Sequence, residues 1–589
     1  MITEQIKFKS ILWIFLFSII SFSSFSQGFL KAEGKQIVNE KGENVLLRGI
    51  GLGGWMLQEG YMLKINKDGQ QYKIRERIEQ LIGAEKTSAF YNAWLTNHTT
   101  KKDLDSLKRW GFNSVRLPMH YNLYTLSVDQ EPVAGKNTWL EKGFALTDSL
   151  LAWCKANKMY LILDLHAAPG GQGNDTNIAD RDASKPSLWD SEANKEKTIA
   201  LWVKLAERYK NEPYIGAYDI LNEPNYGFQN PEADKNGTKE KLNEPLKKLM
   251  VDITKAIRRV DQKHIIIIEG NGWGNNYNGI FPLWDKNMTL SYHKYWNYND
   301  QASIAGMLKA RAEQNVPIWL GETGENSNVW FTDAIALLEK NNIGWSWWPL
   351  KKIGFNNPME IKSNPKYNHL VNYLNNGGEK PSTNDVYEGL MELAKDAKVE
   401  NNIIHKDVID AMIRQPLTKE TKPFKENPIQ NNTTVYAVDY DLGRNGKAYF
   451  DLDTADYHVA TNKRGVGNKG RIYRNDGVDI AKDSLQEDRF YVNSIEKGEW
   501  LQYSLRVVKS GIYTLKLNVA SDTNDGSVSV FVNDAEVEKS VAIPNTEGLK
   551  KFKVITLQNV SLKAGKQVIR FNAIDGGYNF SYFQLVKAK

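Results

Sequence analysis

The sequence predicts a parallel (β/α)8 TIM barrel followed by a C-terminal all-β jelly-roll sandwich. Eight short apolar runs alternate with stretches of helical periodicity, as expected for parallel strands that are buried on both faces. Two of these runs present the glutamates Glu223 and Glu322 at their C-terminal ends, where barrels of this kind build their sites. From Val435 onward apolar and polar residues alternate, which is typical of antiparallel sheets with one buried face.

The predicted barrel strands are runs of β-branched, aromatic and other apolar residues. In chain order they lie in Val45–Leu52, Phe112–Pro118, Met159–Leu165, Tyr214–Asn225, His264–Glu269, Met288–His293, Val316–Glu322 and Ile343–Trp348. Before the first strand, alternation over Gly28–Val45 predicts a hairpin that caps the barrel floor.

The chain of 589 residues is long enough for two folded units. Its 76 basic and 70 acidic residues give a net charge of +6, with no basic stripe, so neither a nucleic acid nor an anionic membrane is expected as a partner. The single cysteine, Cys154, excludes an intrachain disulfide and a cysteine-based zinc site. We expect a monomer.

The N-terminal segment 1–26 has the pattern of a signal peptide. Lys7 and Lys9 precede the apolar run Ile11–Ile20, and Ser24 and Ser26 supply small residues for cleavage before Gln27. The run is too short to span a membrane. The sequence therefore predicts secretion to the periplasm or the medium, without a stable membrane anchor.

The remaining boundaries follow from changes in pattern. We predict the barrel domain over 27–380 and added helices in 381–417, at Val386–Lys398 and Lys406–Arg414. Residues 418–434 are rich in Lys, Pro, Asn and Thr and are predicted to be a linker, and 435–589 form the sandwich.

Two strand-end carboxylates, Glu223 before Pro224 and Glu322, suggest glycoside hydrolysis. That reaction needs one carboxyl group that stays protonated and another that stays ionised. A separation of about 5 Å gives retention through a covalent intermediate, whereas a wider gap admits water and gives inversion. The sequence alone leaves the separation open.

The barrel region resembles glycoside hydrolase family 5. The resemblance covers about residues 30–380 and rests on the motifs SVRLP, LDLH, NEP, SYHKYW and GE, each at a predicted strand end. It implies that Glu223 is the general acid/base and that Glu322 is the nucleophile. It also implies a group of substrate-binding or supporting residues: Glu59, Arg116, His166, Asn222, His293, Tyr295 and Trp348.

Each of these residues has an implied role. Arg116 would keep Glu322 ionised and Tyr295 would donate a hydrogen bond to it. Asn222 would bind the sugar 2-hydroxyl, and His166 and His293 would line the −1 subsite. Glu59 would contact the sugar and Trp348 would stack on it.

RGIGLGGWMLQE, LDLHAAPGGQ and GWSWWPLKK resemble motifs of exo-β-1,3-glucanase-like members of this family. They favour a β-1,3-glucan substrate, with β-1,4-glucan, β-1,6-glucan and mannan left open. Ala167 stands where the motif of that group has glycine, and His120 stands where that group often has glycine. These two differences leave the linkage preference undecided. No metal or organic cofactor is expected for the chemistry.

The C-terminal region resembles a family 6 carbohydrate-binding module in YDLGRNGKAYFDLD, YRNDGVDI, KGEWLQYSL and GGYNFSYFQL. The resemblance implies that Tyr473 and Asn579 bind sugar. Leu549 stands where a second aromatic residue is usual, and Asp439 stands near the position of a calcium-ligating glutamate. Structural calcium is therefore possible, and loss of sugar binding by the module stays an alternative.

Two rival functions remain from the sequence. One is a polysaccharide-binding protein whose barrel no longer hydrolyses, although both carboxylates are retained. The other is a hydrolase of glycolipid glycans, which would need an apolar surface beside the cleft.

Overall fold

The computed structural model describes residues 28–454, 469–483 and 489–588. The predicted signal segment 1–26 lies outside these residues. Within the described part of the chain, no helix is both long enough and apolar enough to cross a membrane.

Eight parallel strands close into the predicted barrel, and the last of them is hydrogen-bonded to both the strand before it and the first strand. Each observed strand lies in or overlaps one of the eight apolar runs, which confirms the fold class. The strands are β3 (Arg48–Gly51), β4 (Ser114–His120), β5 (Tyr160–Ala167), β6 (Ile215–Asp219), β7 (Ile265–Glu269), β8 (Met288–Lys294), β9 (Ile318–Gly324) and β10 (Gly344–Trp348).

Helices surround the barrel and join its strands. They are α1 (Gln71–Ile82), α2 (Ala84–Asn97), α3 (Lys101–Trp110), α4 (Glu141–Asn157), α5 (Glu192–Tyr209), α6 (Glu244–Arg258), the short α7 (Asn271–Gly274), α8 (Ala305–Gln314) and α9 (Asn328–Lys340). Short 3-10 turns lie at Gly60–Leu63, Tyr121–Leu123, Val128–Gln130, Ala302–Ile304, Val399–Asn401 and Ala437–Asp439.

A hairpin of β1 (Lys31–Glu33) and β2 (Gln36–Val38) lies at the N-terminal end of the barrel. Beneath it Leu30 and Ile37 pack in one apolar cluster with barrel residues such as Ile162 and Trp319. These apolar side chains close the N-terminal end of the barrel.

Three helices and a small sheet follow the barrel strands. They are α10 (Pro365–Asn376), α11 (Thr383–Asp396) and α12 (Lys406–Ile413), with β11 (Lys351–Lys352), β12 (Met359–Glu360) and β13 (Ile403–Ile404). Helices α10 and α11 share an apolar cluster with α1 and α2. Helix α12 packs against α9, where the Thr332 hydroxyl donates a 3.0 Å hydrogen bond to the carbonyl of Ala411.

The C-terminal region forms two facing sheets, as predicted. One contains β14 (Pro428–Ile429), β16 (Tyr449–Phe450), β19 (Trp500–Val507), β21 (Ser527–Val532), β22 (Ala535–Ala542) and β24 (Gly565–Asp575). The other contains β15 (Asn432–Tyr436), β17 (Ile480–Lys482), β18 (Phe490–Ile495), β20 (Gly511–Ala520), β23 (Lys553–Leu562) and β25 (Tyr578–Lys587).

The predicted linker 418–434 is partly wrong. Pro428–Ile429 pairs with Arg506–Val507, and Asn432–Tyr436 pairs antiparallel with Tyr582–Val586. The sandwich therefore begins near residue 428. The polar composition of this segment hid the strands, because the edge strand β15 buries only Val435 among its five side chains.

Candidate active site

The C-terminal ends of the barrel strands surround a cleft of about 1240 Å³. Seven of the nine barrel residues singled out in the sequence line it: Glu59, His166, Glu223, His293, Tyr295, Glu322 and Trp348. These side chains come from six different strand ends or the loops after them, so only the closed barrel brings them together.

Glu223 follows β6 in a backbone conformation that is uncommon for a residue with a side chain. Its φ is +42°, in the left-handed region, which costs of order 1–3 kcal/mol. The surroundings hold this geometry, because the Glu223 N–H donates a 2.7 Å hydrogen bond to Oε2 of Glu269. The carbonyl of Pro224 accepts a 3.1 Å bond from the Trp273 N–H. The carboxyl group is thereby fixed at the edge of the cleft.

Glu322 lies on β9, and its carboxylate faces that of Glu223. One oxygen of each carboxylate and one ring nitrogen of His293 all lie within 4.8 Å of one another. The His293 Nδ1 is 2.5 Å from Oε1 of Glu223 and 3.1 Å from Oε2 of Glu322. An oxygen–oxygen distance below 4.8 Å is shorter than the inverting range of about 6.5–9.5 Å and is closer to the retaining range of about 5–5.5 Å.

The surroundings shift the pKa values of the two carboxyl groups in opposite directions. Burial raises the pKa of Glu223, the charges of Glu322 and Glu269 add to this, and the result is about 7 despite the opposing effect of His293. Burial also raises the pKa of Glu322, but His293 and Arg116 outweigh it and leave that pKa below its ordinary value. Near neutral pH the site can therefore hold one protonated and one ionised carboxyl group.

His293 is the cation between these groups. Burial lowers its pKa, but three carboxylates, those of Glu269, Glu322 and Glu223, raise it well above the ordinary histidine value. The protonated Nδ1 then donates a hydrogen bond to Glu223, and Nε2 lies 3.2 Å from Oε1 of Glu269. Within the described residues, Glu223, His293 and Glu322 form the one group of acidic or histidine side chains close enough to hold a metal ion. A protonated imidazole does not ligate metals, so this group fits an ion-pair network better than a metal site.

Arg116 is fully buried beneath the carboxylate pair and anchors the floor of the site. Its guanidinium contacts carboxylates from four other strands: Asp219 at 2.9 Å, Glu269 at 3.1 Å, Asp164 at 3.2 Å and Glu322 at 3.7 Å. Burial raises the pKa of Asp164 and of Asp219, which limits how many of these acids carry charge together.

Aromatic rings form part of the wall of the cleft. The rings of Trp348 and His166 stack with centroids 5.1 Å apart and an interplanar angle of 11°. Gly51 and Gly53 lie under the Trp348 ring, where an added Cβ would come within 2.4 and 2.7 Å of ring carbons. The glycines of the RGIGLGG motif therefore make room for this indole. Burial lowers the pKa of His166 to about 3, so this imidazole is neutral.

Two predicted residues, Asn222 and Tyr295, have surroundings that differ from their implied roles. Asn222 is fully buried behind the cleft, and its Oδ1 accepts a 2.7 Å hydrogen bond from Arg116. Tyr295 lines the cleft, but among the described residues no hydrogen bond joins its hydroxyl to Glu322. Burial and the Glu322 charge raise the pKa of Tyr295 well above its ordinary value, so its hydroxyl keeps its proton.

Several residues of the site were missed in the sequence. Glu269 is the most important, because it contacts the Glu223 N–H, Nε2 of His293 at 3.2 Å and Arg116. A signal was present, since Glu269 ends an apolar strand in the same way as Glu322. Others are Asp164, Asp219, Tyr61, Trp273 and Glu325.

The sandwich residues expected to bind sugar are engaged elsewhere. The Tyr473 hydroxyl contacts Asp439 and accepts a 2.8 Å hydrogen bond from Lys425, and its ring packs 4.9 Å from that of Phe490. Asn579 is buried and donates a 2.6 Å bond to the carbonyl of Leu549. Both side chains therefore make contacts within the protein in place of the sugar contacts that the resemblance implied.

The predicted calcium position is also occupied by protein contacts. Lys425 Nζ lies 3.0 Å from Oδ1 of Asp439. In the described part of the sandwich no three acidic or histidine groups converge on one point. These residues do not fit a calcium site, and calcium elsewhere in the module stays a prediction.

Comparisons with known proteins find a family match in each of the two domains. Residues 66–353 match the family model described as cellulase (glycosyl hydrolase family 5). Residues 474–585 match the one described as carbohydrate binding module (family 35). The expectation of family 6 for the C-terminal module was therefore wrong, although its class as a carbohydrate-binding module was correct.

Three similar curated proteins match between a third and about three fifths of this chain. A β-xylosidase of Phanerodontia chrysosporium is 25% identical over 414 residues, which span 62% of this chain and 82% of the relative. Endoglucanase C of Acetivibrio thermocellus is 24% identical over 47% of this chain and 90% of the relative. A probable glucan 1,3-β-glucosidase A of Aspergillus clavatus is 26% identical over 33% of this chain and 45% of the relative.

Proposed function

Because the barrel is a glycosyl hydrolase family 5 domain, we propose that the protein is a secreted retaining β-glycosidase that hydrolyses a β-glucan by double displacement. The observation that carries this proposal is the pair Glu223 and Glu322, whose carboxylate oxygens lie within 4.8 Å and whose pKa values are shifted in opposite directions. The carbohydrate-binding module supports a polysaccharide as the substrate.

In the first step, an oxygen of Glu322 attacks the anomeric carbon while the bond from that carbon to the leaving oxygen breaks. Glu223 gives its proton to the leaving oxygen. In the second step, Glu223 takes a proton from water, the water oxygen bonds to the anomeric carbon, and the carboxylate of Glu322 leaves. Two inversions at the same carbon give net retention.

The surrounding residues keep the two carboxyl groups in their different states. His293 and Arg116 stabilise the ionised Glu322, and burial keeps the proton on Glu223. Trp348 offers an apolar surface to a sugar ring, and Glu59 faces the same space. Burial raises the pKa of Glu59 well above its ordinary value, so its carboxyl group can donate a hydrogen bond to a sugar hydroxyl.

We propose β-1,3-glucan as the preferred substrate. The support is the RGIGLGGW opening, whose glycines create the seat for Trp348, and the similarity to a glucan 1,3-β-glucosidase. β-1,4-glucan is the first alternative because of the similarity to an endoglucanase. β-1,6-glucan and mannan follow.

The proposal is tested by incubating the purified protein with laminarin, carboxymethyl cellulose, pustulan and mannan. We expect reducing sugar release, fastest from laminarin, and NMR of the first product should show the β-anomer before mutarotation. An α-anomer as the first product would exclude double displacement. Binding to these polymers without any release of sugar would instead favour a non-catalytic protein.

The pKa shifts predict the pH dependence of kcat/KM. The rate should rise with pH on the acidic side as Glu322 ionises. The midpoint of this acidic limb should lie below the pKa of an ordinary carboxyl group, because the pKa of Glu322 is lowered. The rate should fall as pH increases through about 7, because Glu223 then loses the proton that the leaving oxygen needs. Initial rates on laminarin between pH 3 and pH 9 measure both limbs. An alkaline limb that stays flat to pH 9 would show that the general acid does not lose its proton near pH 7 and would contradict this assignment of the limb to Glu223.

A further inference from the structure

A loop of the C-terminal sandwich reaches into the barrel beside the strand that carries Glu322. The backbone carbonyl of Asn475 accepts a 2.9 Å hydrogen bond from the Asn328 N–H. The Asn475 side-chain amide donates to the carbonyl of Asn326 at 2.8 Å and to Oδ1 of Asn328 at 3.2 Å. Asn475 thus holds both ends of a short barrel segment, residues 326–328, from another domain.

This contact is buried and has polar partners on each side. Asn475, Asn328 and Asp407 are 6%, 1% and 1% exposed. Oδ2 of Asp407 on α12 accepts from the Asn475 N–H at 2.7 Å and from Nδ2 of Asn328 at 2.8 Å. Buried hydrogen bonds of this kind fix one relative position of the segments they join. A buried group that loses its partner finds no water molecule to take the partner's place, so breaking the bond is costly.

The segment that Asn475 holds continues directly from Glu325, which lines the cleft three positions after Glu322. Glu325 has a φ of +54°, so the chain turns there in a left-handed conformation. Its carbonyl accepts a 3.1 Å bond from Trp296 Nε1, and its carboxylate accepts a 3.0 Å bond from Lys352. Restraint on both sides is what keeps such a residue in one conformation.

Lys352 connects Glu325 to the aromatic wall of the cleft. Its ammonium lies 5.5 Å from the ring centroid of Tyr61, and the Tyr61 hydroxyl accepts a 3.1 Å bond from Trp348 Nε1. A displacement of Glu325 would therefore change the rim next to the ring on which the sugar is proposed to stack.

We propose that Asn475 of the sandwich is a positioning residue for the active-site cleft, acting through residues 326–328 on Glu325. The inference rests on the proposed hydrolase function and extends it, because it gives the module a role in hydrolysis that is independent of sugar binding. In this arrangement part of the specificity of the barrel is determined by a residue outside the barrel domain.

The test is Asn475→Ala in the full-length protein, assayed on laminarin and, in parallel, on carboxymethyl cellulose. The substitution removes the two hydrogen bonds that the side chain donates and retains the backbone contacts to Asn328 and Asp407. We expect kcat/KM to fall about tenfold on the polymer that the native protein cleaves, at a temperature where circular dichroism shows the variant fully folded. The matched control is Asn545→Ala, since the described bonds of Asn545 stay within the sandwich, and its kcat/KM should equal the native value.

A double-mutant cycle with Glu325→Ala separates positioning from stability. If Asn475 acts through Glu325, Asn475→Ala should cause little further loss in the Glu325→Ala background. Equal losses in both backgrounds, or a lowered Tm with unchanged kcat/KM, would overturn the proposal. An inactive native protein on all four polymers would instead count against the proposed function, so the two failures are distinguishable.

Discussion

Glu322→Gln is expected to lower kcat by about three or more orders of magnitude, because an amide cannot form the glycosyl-enzyme bond. The substitution preserves the shape of the side chain and leaves Arg116 and His293 in place. The measurement is the initial rate on laminarin, together with mass spectrometry after treatment of the native protein with an activated 2-deoxy-2-fluoro-β-glucoside. We expect the label on the peptide that contains Glu322 and no label on the variant.

Glu223→Gln should cause a comparable loss on laminarin but a different dependence on the leaving group. A 2,4-dinitrophenyl β-glucoside needs no protonation to leave, so its first step should be largely retained, and the covalent intermediate should accumulate. Glu79→Gln, on the exposed face of α1, is the matched control and should keep the native rate. Turnover close to native by either site variant would show that this carboxyl pair is not the catalytic one.

The sequence was sufficient to predict where the two carboxylates lie. Both follow short apolar runs, and in a closed parallel barrel every such run ends at the same rim, so Glu223 and Glu322 had to converge once the eight strands were recognised. Their separation could not be predicted, since it depends on the left-handed backbone at Glu223 and on His293 lying between them.

The acidic floor of the site was harder to predict. Asp164, Asp219 and Glu269 lie on three strands far apart in sequence, and only the barrel closure brings them around Arg116. A single sequence does not show which acidic residues at the strand ends point into the barrel. Glu269 looked like the end of a fully apolar strand, although its carboxylate supports the backbone of Glu223.

In the sandwich, the buried strand positions were predictable but the contacts of the loops were not. Strict alternation at Tyr513, Leu515, Leu517 and Val519 predicted an inward face, and all four side chains are buried. Loop residues carry no such periodicity. Tyr473 was expected to face sugar, but its loop is committed to the barrel through its neighbour Asn475. Contacts between domains depend on both partners, and neither segment alone contains a pattern for them.

Glu269 is also expected to have a large effect on the rate. Burial raises its pKa, but His293, Arg116 and the Glu223 N–H outweigh burial and leave the pKa at about 2, so Glu269 is a permanent buried anion. It supports the catalytic pair in two ways, by accepting the Glu223 N–H and by balancing the charges of Arg116 and His293. Glu269→Ala removes both and should lower kcat on laminarin about a hundredfold or more.

Glu269→Gln separates these two contributions, because its amide oxygen can still accept the Glu223 N–H while the charge is lost. We expect a smaller loss of kcat than in Glu269→Ala. The alkaline limb of the pH profile should move to lower pH, because the Glu269 charge raises the pKa of Glu223. A purely structural role would lower Tm in both variants and leave the pH profile of the folded fraction unchanged. If the limb stays at its native position in Glu269→Gln, the anion does not tune the acid, and its importance would lie in the backbone contact alone.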